Sequence, residues 1–328
     1  MAERWAFPSE LQPTTEDVQF DLATVLDAVL LLRAEIPEDA FTASILGTER
    51  AGNGIVIGND GIVLTIGYLI TEAQTIWLST NGGALISAYP IAYDFVTGLG
   101  LVQALGKLDA VPMQRGSVES IAEGSEVIII GNGGRAHSLK SKITDKREFA
   151  GYWEYVLDQA VFTAPAHPQW GGAALVGPDG KLLGVGSLLV QESRDNKAGG
   201  TEETMQGNMF VPIDLLEPIL HDLLTAGRAA RPPRPWLGMY TTEANGQLVV
   251  GGLANSGPAE RSGVKQGDMV LEVAGERVTS LAKLFRRIWQ LGPAGTEIPL
   301  TLARESSIVR VRVHSADRGD YLKKPKLH

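Results

Sequence analysis

The stretch PQWGGAALVGPDGKLLGVGS, residues 168–187, holds six glycines around two short apolar runs. It has the shape of a loop that presents a nucleophilic serine, yet its only serine, Ser187, stands at its far end. Acyl transfer by that chemistry needs a hydroxyl to attack, an imidazole in hydrogen-bond reach to take its proton, and a carboxylate to hold the imidazole's tautomer. The chain has five histidines, His137, His167, His221, His314 and His328, and His167 alone adjoins the stretch, four residues before Gly171. A relocated pair of His167 and Ser187 is one reading; a histidine hydrogen-bonded to backbone or facing solvent is the commoner fate of such a residue. With no cysteine in the chain, thiol nucleophiles, disulfides and thiolate metal sites are excluded together. No metal-ligand spacing, phosphate loop or dinucleotide fingerprint occurs, so neither metal nor cofactor is expected. The run GNGG, residues 131–134, follows a strand into a polar turn with no helix expected after it, so it reads as a hairpin.

The rest of the chain must position this loop. At 328 residues it has room for two domains, and 44% hydrophobic with 20% charged residues describes a packed globular protein. A net charge of −9 speaks against nucleic acid or an anionic membrane as partner. The start lacks a basic segment followed by an apolar run, so no signal peptide is visible and the sequence alone suggests the cytoplasm; no run is long enough to span a bilayer. Residues 1–40 read as an N-terminal helical segment, with Val18, Leu22, Val25, Leu26 and Val29 at helical spacing between Asp17 and Ala34.

From residue 41 to 227 short runs of Val, Ile, Leu and Thr alternate with Gly, Asn and Asp, as in GIVIGNDGIVLTIG and SEVIIIGNGG. Such spacing predicts an antiparallel β barrel or sandwich closed by a helix near residues 213–224, with a polar surface loop over 191–207. Residues 228–235, RAARPPRP, form a stiff linker. Residues 236–315 read as a small α+β domain with one amphipathic helix, and residues 316–328 as a basic, frayed tail.

GLANSGPAERSGVKQGDMVLEVAGERV, residues 252–278, resembles a PDZ domain in its Gly-Pro-Ala loop, short helix, Gly-Asp strand opening and Ala-Gly-Glu hairpin. That resemblance implies that Trp236, Leu237, Gly238 and Met239 form a carboxylate-binding loop, where successive backbone N–H groups cup a peptide C-terminus. It also implies that Leu281, Leu284, Phe285 and Ile288 face the peptide groove; the competing reading for Leu284 and Ile288 is that they fill the domain's own core.

The whole order, β-barrel domain, linker, PDZ domain, resembles the HtrA (Deg) family of trypsin-like serine proteases, over residues 40–315. The expected fold is therefore mostly β: a trypsin-like double β-barrel followed by a small α+β PDZ domain. The resemblance places the general base at Tyr68 in GIVLTIGYLI, the orienting aspartate at Gly98 in DFVTGLGLVQAL, and the nucleophile at Gly171 in APAHPQWGGAAL. Gln169 and Trp170 stand in the oxyanion loop, and Asn53 replaces a serine in the strand GNGIVI. Glycine offers no attacking atom, and tyrosine, with an ordinary pKa of about 10, accepts protons poorly near neutrality. These residues point to an inactive member, a pseudoprotease and not an enzyme; the alternative is an active serine endopeptidase with relocated catalytic residues. The implied partners are peptides or protein C-termini, unfolded-protein clients, and copies of the chain in a trimer or an active relative. Family resemblance suggests the periplasm.

Overall fold

A computed structural model describes residues 5–194 and 203–324, and divides them into two compact units. The first comprises residues up to Arg147, then Gln159–Ala229 and the segment from Lys323; the second comprises Glu148–Asp158 and Ala230–Leu322.

Among the described residues, the first unit contains two closed barrels. In the first, β1 (Val29–Glu35), β2 (Glu49–Val56), β3 (Ile62–Ile66), β4 (Thr75–Ser79), β5 (Leu85–Tyr93) and β6 (Leu99–Ala104) pair in the order β1-β2-β3-β6-β5-β4. In the second, β7 (Glu126–Ile130), β8 (Ser138–Gly151), β9 (Tyr155–Ala164), β10 (Ala174–Val176), β11 (Leu182–Arg194) and β12 (Glu203–Pro212) pair in the order β10-β11-β12-β9-β8-β7. The double β-barrel is thus as expected. Closure removes exposed sheet edges, so the strand runs can be apolar on the inward face without inviting edge-to-edge pairing.

Three expectations need correction. The helix predicted between Asp17 and Ala34 is only Leu22–Asp27, capped by the Asp21 carboxylate, which accepts from the N–H groups of Ala23 and Thr24. Residues 29–35 leave the N-terminal segment to become β1, held by β2 and β4 on either side, so tertiary pairing overrides the helical spacing. Of the predicted loop 191–207, the described residues, 191–194 and 203–207, are strand, with Gln191 paired to Gln206; residues 195–202 lie outside the described residues. The expected frayed tail carries a 3-10 turn, Arg318–Tyr321, with the Tyr321 ring edge-on to Trp236 at 4.8 Å; residues 325–328 lie outside the described residues.

The second unit contains a sheet of β13 (Met239–Ala244), β14 (Gln247–Leu253), β15 (Met269–Val273), β17 (Glu297–Arg304) and β18 (Ser307–His314), with β16 (Glu276–Arg277) pairing β15. Helix Leu281–Gln290 starts at Ser280, whose side chain accepts from the N–H of Lys283, and packs its apolar face onto this sheet. The tip of the β8–β9 hairpin belongs to this unit as well, with Val156 buried in the same core.

Candidate functional site

The resemblance puts the nucleophile at residue 171, where this chain has glycine. A β-carbon built on Gly171 would stand 3.0 Å from the Tyr68 hydroxyl, so the two positions to which the resemblance assigns nucleophile and base are neighbours. Tyr68 follows β3 in a 3-10 turn, Gly67–Leu69. Its hydroxyl donates to the backbone oxygen of Ser187 at 2.9 Å and is hydrogen-bonded by the Trp170 side chain, an indole that can only donate. Burial raises the Tyr68 pKa well above its ordinary value, so phenolate is not formed at neutral pH. Gly98 has a left-handed backbone (φ 81°) and contributes only main chain: its oxygen accepts from Gly67 N–H at 2.8 Å.

The oxyanion loop is tied down by its own hydrogen bonds. The N–H of Gln169, which by resemblance would meet a developing oxyanion, donates instead to His167 Nδ1 at 3.0 Å. His167 is fully buried, and its Nε2 lies 2.9 Å from the His137 oxygen. Because Nδ1 accepts, Nε2 carries the proton and donates; the ring is neutral with both nitrogens in use. Burial pushes the His167 pKa down to about 4. His167 is therefore a buried structural histidine holding the loop from behind, with Trp5 and Phe7 edge-on to it at 5.9 and 5.1 Å. The structure does not bring it to Ser187 as a catalytic pair: its hydrogen bonds run to Gln169, His137 and Asn208.

Asn53, noted in the sequence only as a replacement, is the staple of the site. It is fully buried in β2. Its Nδ2 donates to the oxygens of Gln169 and Gly171, both at 2.9 Å, and its Oδ1 accepts from Asn132 N–H at 2.7 Å and Asn132 Nδ2 at 2.8 Å. Gly172 next to it has φ 74°, and a β-carbon there would lie 2.0 Å from the Asn53 oxygen, so only glycine lets the loop close on β2.

In the second unit, Trp236, Leu237, Gly238 and Met239 form the loop leading into β13. The N–H groups of Leu237, Gly238 and Met239 all point to the Glu154 carboxylate: Gly238 and Met239 donate to Oε1 at 2.7 and 3.0 Å, Leu237 to Oε2 at 3.0 Å. Gly238 has φ 69°, which turns its N–H into this cup. Burial pushes the Glu154 pKa up to about 7, against the pull of the three N–H groups and the Arg318 guanidinium. The expected groove residues of the helix divide differently. Leu284, Phe285 and Ile288 are fully buried among the residues of the domain's own core; Leu281 is half-buried at the core's margin. The reason is the helix's narrow apolar stripe, which the sheet covers first. Glu154 went unnoticed in the sequence because its partners lie more than 80 residues further on; its only local signal is an acidic residue at a hairpin tip.

Residues 52–185 match the trypsin-like peptidase domain family and residues 235–314 the PDZ domain family. The chain is 27% identical over 283 residues to a "Probable periplasmic serine endoprotease DegP-like" of Halomonas elongata, and 23% identical over 272 residues to "Serine endoprotease DegS" of Haemophilus influenzae. It is covered to 82% in both matches; it spans 57% of the first relative and 77% of the second. The solved structure "HtrA-type protease AlgW with decapeptide" superposes with a TM-score of 0.52 at 19% identity, over 94% of this chain and 100% of that one, a likeness of fold. The expectation that the chain is not an enzyme is corrected by these relatives, whose names are those of serine endoproteases and point to an enzyme. Two matched domains in this order, on the fold described, make the chain a member of the HtrA family of trypsin-like proteases with a PDZ domain.

Proposed function

We propose that this HtrA-family chain acts on other proteins by holding their C-terminal segments at its PDZ domain, as a scaffold, regulator or chaperone-like holder. The observation that carries the reading is the convergence of the Leu237, Gly238 and Met239 N–H groups on one carboxylate, since a peptide C-terminus presents the same group. Strand β13 beside the loop supplies backbone partners for an added strand. The test is a dye-labelled pool of random decapeptides with free C-terminal carboxylates, compared with the same pool as C-terminal amides. Binding of the acids and not of the amides is expected; equal binding of both overturns the carboxylate-loop reading.

The names of the relatives favour a second reading, endopeptidase action on protein substrates. Glycine at 171 brings no attacking atom, so hydrolysis by this chain would use a hydroxyl elsewhere. Casein turnover together with labelling by a fluorophosphonate, mapped to its residue, tests that reading. Cleavage with a labelled side chain supports it, and the absence of both refutes it. Self-assembly, common in the family, belongs to the first reading and is checked by sedimentation velocity.

A further inference from the structure

The carboxylate cupped by Leu237, Gly238 and Met239 comes from this chain, and the segment that delivers it has more than one feature of a bound peptide. Tyr152, two residues before Glu154, offers its backbone oxygen to the N–H of Thr241 in β13 at 3.2 Å, a strand-addition contact. Trp153 stacks on Tyr155 at 5.7 Å, and the Tyr152 ring meets Tyr240 of β13 edge-on at 6.3 Å. Arg286 of the groove helix bridges Glu148 and Asp158, one on each arm of the hairpin. Glu154 itself has φ 62°, a left-handed conformation that glycine or asparagine takes at lower cost. A residue held there at some strain, with its carboxylate turned into three N–H groups, is placed for that contact.

We propose that residues 152–154 are an internal ligand of the PDZ domain, and that a protein C-terminus binds the domain by exchanging its own carboxylate for that of Glu154. This deepens the reading of the domain as a C-terminus binder and rests on it. The ligand class follows from the template: an extended C-terminal segment whose backbone pairs with β13 and whose terminal carboxylate replaces the Glu154 side chain. An internal ligand lowers apparent affinity by the ratio of docked to released hairpin, so removing its carboxylate raises affinity by the same factor.

The test measures binding of the free-carboxylate peptide pool and its amide counterpart to the full chain and to Glu154→Ala. Hydrogen exchange at the amides of residues 237–239 is measured on the same proteins. We expect Glu154→Ala to bind the acid pool at least tenfold more tightly than the native chain, the amide pool to bind neither, and the three amides to exchange at least tenfold faster in the variant. Equal affinity of both proteins for the acid pool overturns the internal ligand while leaving the C-terminus-binding reading intact. Faster exchange in the variant with no binding of the acid pool overturns that reading and retains the internal contact. Glu154→Gln, which keeps the side chain's size and one acceptor oxygen, serves if Glu154→Ala does not fold. It is expected to lie between the two, and an affinity for the acid pool no higher than that of the native chain refutes the exchange.

Discussion

Replacing Asn53 by alanine tests the claim that one buried amide organises the loop around residue 171. The substitution removes four hydrogen bonds made by a fully buried side chain. The Gly171 oxygen keeps a second donor, the Asn53 backbone N–H at 2.8 Å, so its loss is partial. Gln169 O and Asn132 N–H lose their bonds to the Asn53 side chain, and each such group costs about 1–3 kcal/mol if left unsatisfied inside. Both residues are half-buried, so water recovers part of that. The expected loss is about 2–3 kcal/mol, a fall of roughly 5–10 °C in the transition of a unit of this size. Calorimetry of the full chain follows that transition, with the unfolding of the PDZ unit as internal reference. Hydrogen exchange at residues 169–173 should rise well before the rest of the unit does. A shift below 1 °C with unchanged exchange at the loop would falsify the staple, and with it the account of why the Gln169 carbonyl and N–H point where they do.

Other consequences concern pH and glycine. His167 is neutral when folded, at about 4, against an ordinary value of 6.5. The unfolded chain therefore takes up a proton first, and stability is lost as pH falls from about 6.5 to about 4, by about 3 kcal/mol at the lower end. His167→Gln should flatten that limb of the pH–stability profile, and an unchanged limb refutes the assignment. Gly172→Ala should prevent the loop from closing, since its β-carbon would meet the Asn53 oxygen; the soluble variant is expected to lose protection at residues 169–173, and native-like protection refutes this. For Glu154, docking holds the proton more tightly than release, so the docked hairpin gains stability as pH falls from about 7 towards 4.5. Arg318 and Tyr240 act electrostatically with the carboxylate, Tyr152 lies beside Tyr240, and Arg286, Glu148 and Asp158 lie at the hairpin's neck. The ratio of apparent Kd values, native over Glu154→Ala, cancels their shared effects and the peptide's own titration. It should rise by roughly 50-fold from pH 8 to pH 5, and a ratio that falls refutes the direction.

Local pattern carried a great deal of this protein. The alternation of short apolar runs with Gly, Asn and Asp foretold an antiparallel β architecture, barrel or sandwich, because a strand's inward face and its turns are written within eight to twelve residues; the double barrel was implied by the family resemblance. The PDZ unit was implied by the resemblance that GLANSGPAERSGVKQGDMVLEVAGERV carries, and is matched over residues 235–314. The residue at each position of the loop around Gly171 was also open to reading, since absence of a side chain is a property of one residue. What tertiary structure decided was pairing across distance. The segment after Asp27 became β1 because two neighbouring strands took its backbone groups. Leu284, Phe285 and Ile288 went to the core because the sheet reached them. Asn53 found carbonyls 116 and 118 residues away, and Glu154 found its three N–H groups 83 to 85 residues ahead. Hydrogen-bond partners so far apart leave no period in the sequence; they exist only once the chain has closed on itself and excluded water from both sides of the contact.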